Sequence, residues 1–186
     1  MILYVNACVR PMSRTDALAR FLLSRFPAEE IAEVNLQKEG ILPLDWETIR
    51  YRDSCIAEKR FDDPVFSYAR QFAQADEIVI SAPYWDLLFP ASLRAYLERV
   101  CVVGVTFAYS PQGAPVSLCR AKKLTYVSTA GGFTGGTHLG FSYVKALASQ
   151  FFGIGDLSLL QAEGLDIDGA DVEAILDRAR ASVSLK

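Results

Sequence analysis

The amino-acid sequence predicts an α/β fold, a doubly wound parallel sheet of five strands in the order 2-1-3-4-5, and three observations point there. Short apolar runs alternate with stretches of helical period, the spacing of strand–helix–strand units joined by right-handed crossovers. The clearest run, Glu77-Ile78-Val79-Ile80-Ser81, is β-branched and apolar on both parities, as suits a parallel strand covered on both faces. Finally, the runs number five, the count of a doubly wound sheet with that order.

Taken in turn, Ile2 to Val5 reads as a buried strand, and Asp16 to Phe26 as a helix with Leu18, Phe21, Leu22 and Arg25 at helical spacing. Ile31 to Leu36 is a weaker second strand. Gly40 to Arg60 patterns poorly, although Trp46, Ile49 and Tyr51 fit a short helix; Pro64 to Ala75 is helical, with Val65, Tyr68, Ala69 and Phe72 on one side. Glu77 to Ser81 is the third strand. A helix follows from Pro90 to Cys101, with Pro90 at its first position and Leu93, Tyr96, Leu97 and Val100 on one face. Val105 to Tyr109 alternates and precedes Pro111-Gln112-Gly113, a turn signal, so this excursion is a hairpin or loop over one end of the sheet. Lys123 to Ser128 is the fourth strand and Leu157 to Gln161 the fifth. Between them a helix carries Gly140, Val144, Leu147, Ala148 and Phe151, and Val172, Ile175, Leu176, Ala179 and Val183 mark a closing amphipathic helix.

At 186 residues and 51% hydrophobic content, the chain suits one well-buried domain over residues 1–186. A net charge of -3 offers no basic field for nucleic acid. Cys8, Cys55, Cys101 and Cys119 lack zinc-knuckle spacing, and His138 is the one histidine, so no metal is expected. No apolar stretch approaches the ~18 residues of a membrane span and no basic n-region opens the chain, which predicts a cytoplasmic protein with reduced thiols.

In the expected strand order, the loops after strands one, three and four emerge together at the switch point, where open α/β sheets place their ligands. The first, Asn6 to Thr15, brings Ser13 and Thr15 to a helix start, whose free N–H groups and dipole favour a phosphate, with Arg10 or Arg14 adding charge. Ser13 or Thr15 as a plain helix cap fits the same residues. The second, Pro83-Tyr84-Trp85-Asp86-Leu87, offers aromatic faces to a flat redox-active ring, or fills core as an ordinary connection. The third, Thr129-Ala130-Gly131-Gly132-Phe133 and on to His138, is rich in glycine, which lets a backbone approach a ligand closely; a flexible surface loop would share that composition.

These residues resemble the FMN-dependent NAD(P)H oxidoreductases of flavodoxin-like fold, the azoreductases and NAD(P)H quinone reductases, over most of the chain. Pro83 to Leu87 with the helix from Pro90 is similar to the family's P-M-Y-N-F loop and helix. Gly104 to Tyr109 resembles its G-V-T-F-x-Y segment, and Thr129 to Gly132 its T-x-G-G loop; Phe151 to Ile154 and Ala162 to Gly164 resemble its F-x-G-I and A-E-G segments. The resemblance implies a flavodoxin-like three-layer sandwich that binds FMN. Ser13 and Thr15, with Arg14 and Cys8 beside them, would hold the phosphate. Tyr84 to Leu87 would touch the ring and Thr129 to Gly132 its pyrimidine edge, with Pro83 and Phe133 also among the cofactor-binding residues. Phe107, Tyr109 and Phe151 would wall the substrate pocket, in part across a homodimer interface. Two departures stand out: Asp86 replaces an Asn, setting a carboxylate beside a flavin that turns anionic on reduction, and Ala7 or Cys8 replaces an early serine.

The activity so implied is ping-pong hydride transfer from NADH or NADPH through bound FMN to a quinone, azo compound or similar flat acceptor, the protein supplying stacking and electrostatics. His138 is a candidate to steady charge at the flavin O2 or to donate a proton, or simply a helix cap. A flavodoxin-type electron carrier without nicotinamide turnover is the alternative, although such carriers are more acidic and lack the Phe107/Tyr109 excursion.

Overall fold

The computed structural model describes residues 1–183. Along the chain the elements are β1 (Ile2–Asn6), α1 (Arg14–Leu23), β2 (Ile31–Asn35), α2 (Leu36–Glu39), α3 (Trp46–Ala57), α4 (Ser67–Gln74), β3 (Glu77–Ser81), α5 (Ala91–Val100), β4 (Phe107–Tyr109), β5 (Pro115–Ser117), β6 (Lys123–Thr129), α6 (Leu139–Gln150), β7 (Asp156–Ala162) and α7 (Val172–Ala181). The main sheet runs β2-β1-β3-β6-β7 with every pair parallel, while β4 and β5 form a separate antiparallel hairpin. Counted without the hairpin, the strands lie in the order 2-1-3-4-5. Register aligns Asn6 with Asn35 and with Ser81, so the carboxyl ends of β2, β1 and β3 finish level along one edge.

Strand parity sorts the core into two layers. Leu3, Val5, Ile78, Ile80, Leu124 and Tyr126 face Phe72, Leu93, Tyr96, Leu97, Val144 and Ala148 of α4, α5 and α6. The alternate set, Ile2, Tyr4, Val79 and Val127, faces Leu18 and Leu22 of α1 and Leu176 of α7. Both faces of the central strands are therefore covered, and each fully buried Leu or Ile contributes about 1.5–3 kcal/mol relative to exposure.

Several boundaries differ from expectation for local reasons. The Asn35 side chain accepts from Lys38 N and starts α2 at Leu36, so β2 stops one residue early. Pro90 stands just before α5 in an extended conformation rather than inside it. Pro64–Phe66 forms a 3-10 turn ahead of α4, and Phe151 caps α6 instead of extending its stripe. Helix α3 explains the poor pattern of its region: capped by Asp45, it buries Cys55 alone and leaves Trp46 and Ile49 exposed, so no apolar stripe marks it.

The hairpin lies at the edge where β6 and β7 begin. Val103, just past the end of α5, bridges to Phe107, and Ser117 Oγ donates to the carbonyl of Phe152, just past the end of α6.

Candidate functional site

At the opposite edge, beyond the carboxyl ends of the strands, four loops enclose a crevice of about 340 Å³ lined by Val9 to Thr15, Pro83 to Trp85, Thr129 to Gly131, Leu165 and Asp166. One end is the start of α1. Ser13 caps it, its Oγ accepting from Asp16 N at 3.3 Å, which leaves the Arg14 and Thr15 amides at the open first turn. Thr15 is buried and its hydroxyl meets that of Thr129 at 2.6 Å, joining the first loop to the glycine loop.

Beneath this end lies a polar network. Asp16 accepts from the Tyr4 hydroxyl at 2.6 Å, Asn6 Nδ2 at 2.9 Å and Arg20 Nε at 3.0 Å; Tyr4 also meets Ser81 Oγ at 2.8 Å, and Arg20 Nη2 donates to Glu33 at 2.9 Å. Burial and the Asp16 carboxylate hold the Tyr4 hydroxyl well above the ordinary tyrosine range, so it stays a donor. The network ties α1 to the ends of β1, β2 and β3.

At the other end, the glycine loop is zipped to the chain after β7. Ala130 N donates to Ala162 O, Gly164 N to Gly132 O, Leu165 N to Ala130 O and Asp166 N to Gly131 O. The amides of Gly131, Gly132 and Phe133 are left without a protein acceptor among the described residues. Free donors beside a cavity are what an electron-rich heterocycle edge requires. The second loop supplies the flat wall: Tyr84 N is fixed to Thr129 O at 3.0 Å, and Trp85 pairs with Leu88.

The structure thus brings Ser13, Arg14, Thr15, Pro83, Tyr84, Trp85, Thr129, Ala130 and Gly131 to one crevice. The other expected residues do not line it. Asp86 and Leu87 occupy the tip of a tight turn, both with positive φ of 48° and 71°, the signature of a type I′ turn, and Leu87 points outward at 61% exposure. Gly132 follows the lining residues, and Phe133 folds over Gly164 at 75% exposure. Cys8 is buried under the loop with its thiol toward Ser81, and burial raises its pKa, which keeps the thiol protonated.

His138 caps α6: Nδ1 accepts from Phe141 N at 3.0 Å, which places the proton on Nε2, and Nε2 has no protein partner among the described residues. At 6% exposure its ring stands edge-on to Tyr84, centroids 4.9 Å apart. Burial pushes the imidazole below the usual histidine range, so it is neutral. Its place is behind Tyr84, and Gly140 admits it: a Cβ there would meet the Tyr126 hydroxyl at 3.1 Å and His138 Cε1 at 3.3 Å.

Phe107 meets both Tyr109 and Phe151 edge to face at the hairpin, Phe151 at 4.7 Å, across the sheet from the crevice of their own chain. Leu165 and Asp166 were not expected at the site. Their signal was the glycine-punctuated turn after the fifth strand, Gly164-Leu165-Asp166, directly beyond the last motif read from the sequence.

A family model described as flavodoxin-like fold matches residues 1–185. The chain belongs to this flavodoxin-like family. Among relatives of this flavodoxin-like chain, an FMN-dependent NADH:quinone oxidoreductase 2 from Clostridium acetobutylicum is 40% identical over 186 residues, covering 94% of this chain and 92% of the relative. An FMN-dependent NADH:quinone oxidoreductase from Clostridium beijerinckii is 35% identical, covering 96% and 93%. Among solved structures, an azoreductase from Bacillus anthracis superposes with a TM-score of 0.81 at 26% identity over 97% of this chain and 94% of that one.

Proposed function

We infer that the protein is an FMN-dependent NADH:quinone oxidoreductase, and that residues 1–186 act as a single FMN-binding unit. One observation carries the reading: a helix start with hydroxyls, an aromatic wall and three free backbone amides line or border a single crevice at the carboxyl edge of the sheet. The residues fit the cofactor, since the phosphate end is donor-rich and the Gly131 to Phe133 amides have no protein acceptor among the described residues and stay open to a ligand. FMN, when bound, supplies the hydride-accepting and hydride-donating ring. The chain's own share is to seat the phosphate on Ser13, Thr15 and the first turn of α1, to set Tyr84 and Trp85 against the ring, and to point amides at its pyrimidine edge.

Trp85 also borders a largely apolar groove of about 720 Å³ formed with Asp86, Leu88, Phe89, Pro90, Ala91, Arg94 and Tyr143. This groove suits a flat quinone or azo acceptor, or the nicotinamide of NADH or NADPH. A homodimer accounts for two patches of exposed apolar surface. Met12, Leu87 and Phe133 stand exposed around the crevice, and Tyr109, Val116 and Leu118 stand exposed at the hairpin, so a two-fold pairing sets each hairpin against the partner's crevice. In that arrangement Phe107, Tyr109 and Phe151 serve the partner's pocket. A cytoplasmic setting agrees with four free cysteines, two of which burial raises to about 11 (Cys101) and about 12 (Cys119). Among the described residues no helix is long and apolar enough to cross a membrane.

The test is FMN reconstitution followed by NADH and NADPH oxidation with menadione or an azo dye. Steady turnover is expected; a holoprotein inert to both nicotinamides returns the electron-carrier alternative.

A further inference from the structure

Arg14 sits where a cation would meet a phosphate, yet its guanidinium is committed elsewhere. Nη1 donates to Leu165 O at 3.0 Å and Nη2 to Asp166 Oδ1 at 2.6 Å. Both acceptors belong to the loop after β7, which is itself bonded to the glycine loop through Leu165 N to Ala130 O and Asp166 N to Gly131 O. The contact with Gly131 is so close that a Cβ built there would fall on Asp166 Oδ2. Three loops that line the crevice are therefore linked in series: the start of α1 through Arg14, the loop after β7 through Asp166, and the loop after β6 through Gly131.

We propose that Arg14 and Asp166 form a strut that sets the width of the crevice, positioning both of its ends around a flavin, and that Arg14 is not a phosphate ligand. A guanidinium that donates through two nitrogens to two acceptors on one loop is fixed in plane, which a point charge would not be. Drawing it onto a phosphate would abandon the Leu165 carbonyl and leave the Asp166 carboxylate facing a dianion. The ion pair is partly exposed, with the Asp166 side chain 65% accessible, so its direct stabilisation is small. Its effect lies in ordering the loops. Arg10, which lines the same crevice, has no side-chain partner among the described residues and is the cation left for the phosphate.

The inference rests on the FMN reading, and its test separates the two. Apo-protein is titrated with FMN and with riboflavin, which lacks the phosphate, following quenching of flavin fluorescence. Arg14→Ala and Asp166→Ala are each expected to weaken both flavins by the same factor, roughly tenfold, and the double variant to be no worse than either single one. Gly131→Ala should match Asp166→Ala, because its Cβ displaces the same carboxylate, whereas Asp166→Asn should retain most of the affinity. Thermal unfolding of each apo variant checks that it folds; should an alanine variant not fold, Arg14→Lys, expected to weaken both flavins equally, takes its place. The proposal is overturned if Arg14→Ala weakens FMN while sparing riboflavin, if Asp166→Ala tightens FMN, or if all variants bind as wild type does. Wild-type protein that binds neither flavin overturns the cofactor reading itself.

Discussion

Replacing Asp16 with alanine should loosen the phosphate end of the crevice from below. The carboxylate accepts from Tyr4, Asn6 and Arg20 at once, and the three lose it together. A buried hydrogen bond to a charged group is worth about 1.5–3 kcal/mol, which applies to the Tyr4 hydroxyl. The Arg20 side chain is 51% exposed, so its pairing adds only about 0.5 kcal/mol. Tyr4 keeps Ser81, and Asn6 and Arg20 keep Glu33, which limits the loss. The net expectation is about 3 kcal/mol. For a chain of this size that lowers Tm by roughly 6–12 °C. Urea unfolding of the apo-protein measures it, with the m-value unchanged if the native state is otherwise intact. Asp16→Asn, which keeps the volume and one acceptor oxygen, should lose about half as much. A loss under about 1 kcal/mol for Asp16→Ala would refute the reasoning, because it would mean that the donors re-pair freely and the network does not anchor α1.

His138 is held neutral with a pKa below its unfolded value of about 6.5. The unfolded state therefore binds more protons as pH falls through about 6.5, and stability present above that pH is lost on acidification toward the folded value. His138→Asn, still able to cap α6, should flatten the decline between about pH 7.5 and 5.5 in chemical denaturation; an unchanged slope contradicts the assignment. Thr129→Val removes the hydroxyl partner of buried Thr15 and should cost about 1 kcal/mol by urea unfolding, with weaker FMN binding in the same titration. Tyr109→Glu places a charge on the exposed hairpin face and should shift a sedimentation profile from dimer to monomer. A wild-type chain that sediments strictly as a monomer would remove the shared-pocket proposal.

The fold was legible where burial is two-sided. Ile78-Val79-Ile80 advertises a central strand because each parity has its own layer of helices to face. Helix α3 was hard to read for the converse reason: a helix that buries Cys55 alone leaves no stripe. At the site, Ser13, Thr15 and Thr129 were readable because hydroxyls at a helix start and glycine-rich turns after strands have a local meaning. Asp166 was not, since its place beside the crevice shows only through its contact with Arg14, 152 residues away in sequence. The outward turn of Asp86 and Leu87 was also hidden, because Leu87 disfavours the left-handed backbone it adopts and no glycine marks the turn.

The β4–β5 hairpin pairs with no strand of the main sheet, and it hangs from the edge of that sheet farthest from the crevice. Substitutions at its exposed positions, Tyr109 and Val116, touch none of the hydrogen bonds that join the five parallel strands. In the paired arrangement proposed above, a change in the hairpin would reach the partner's acceptor groove while the phosphate-side loops of its own chain kept their contacts.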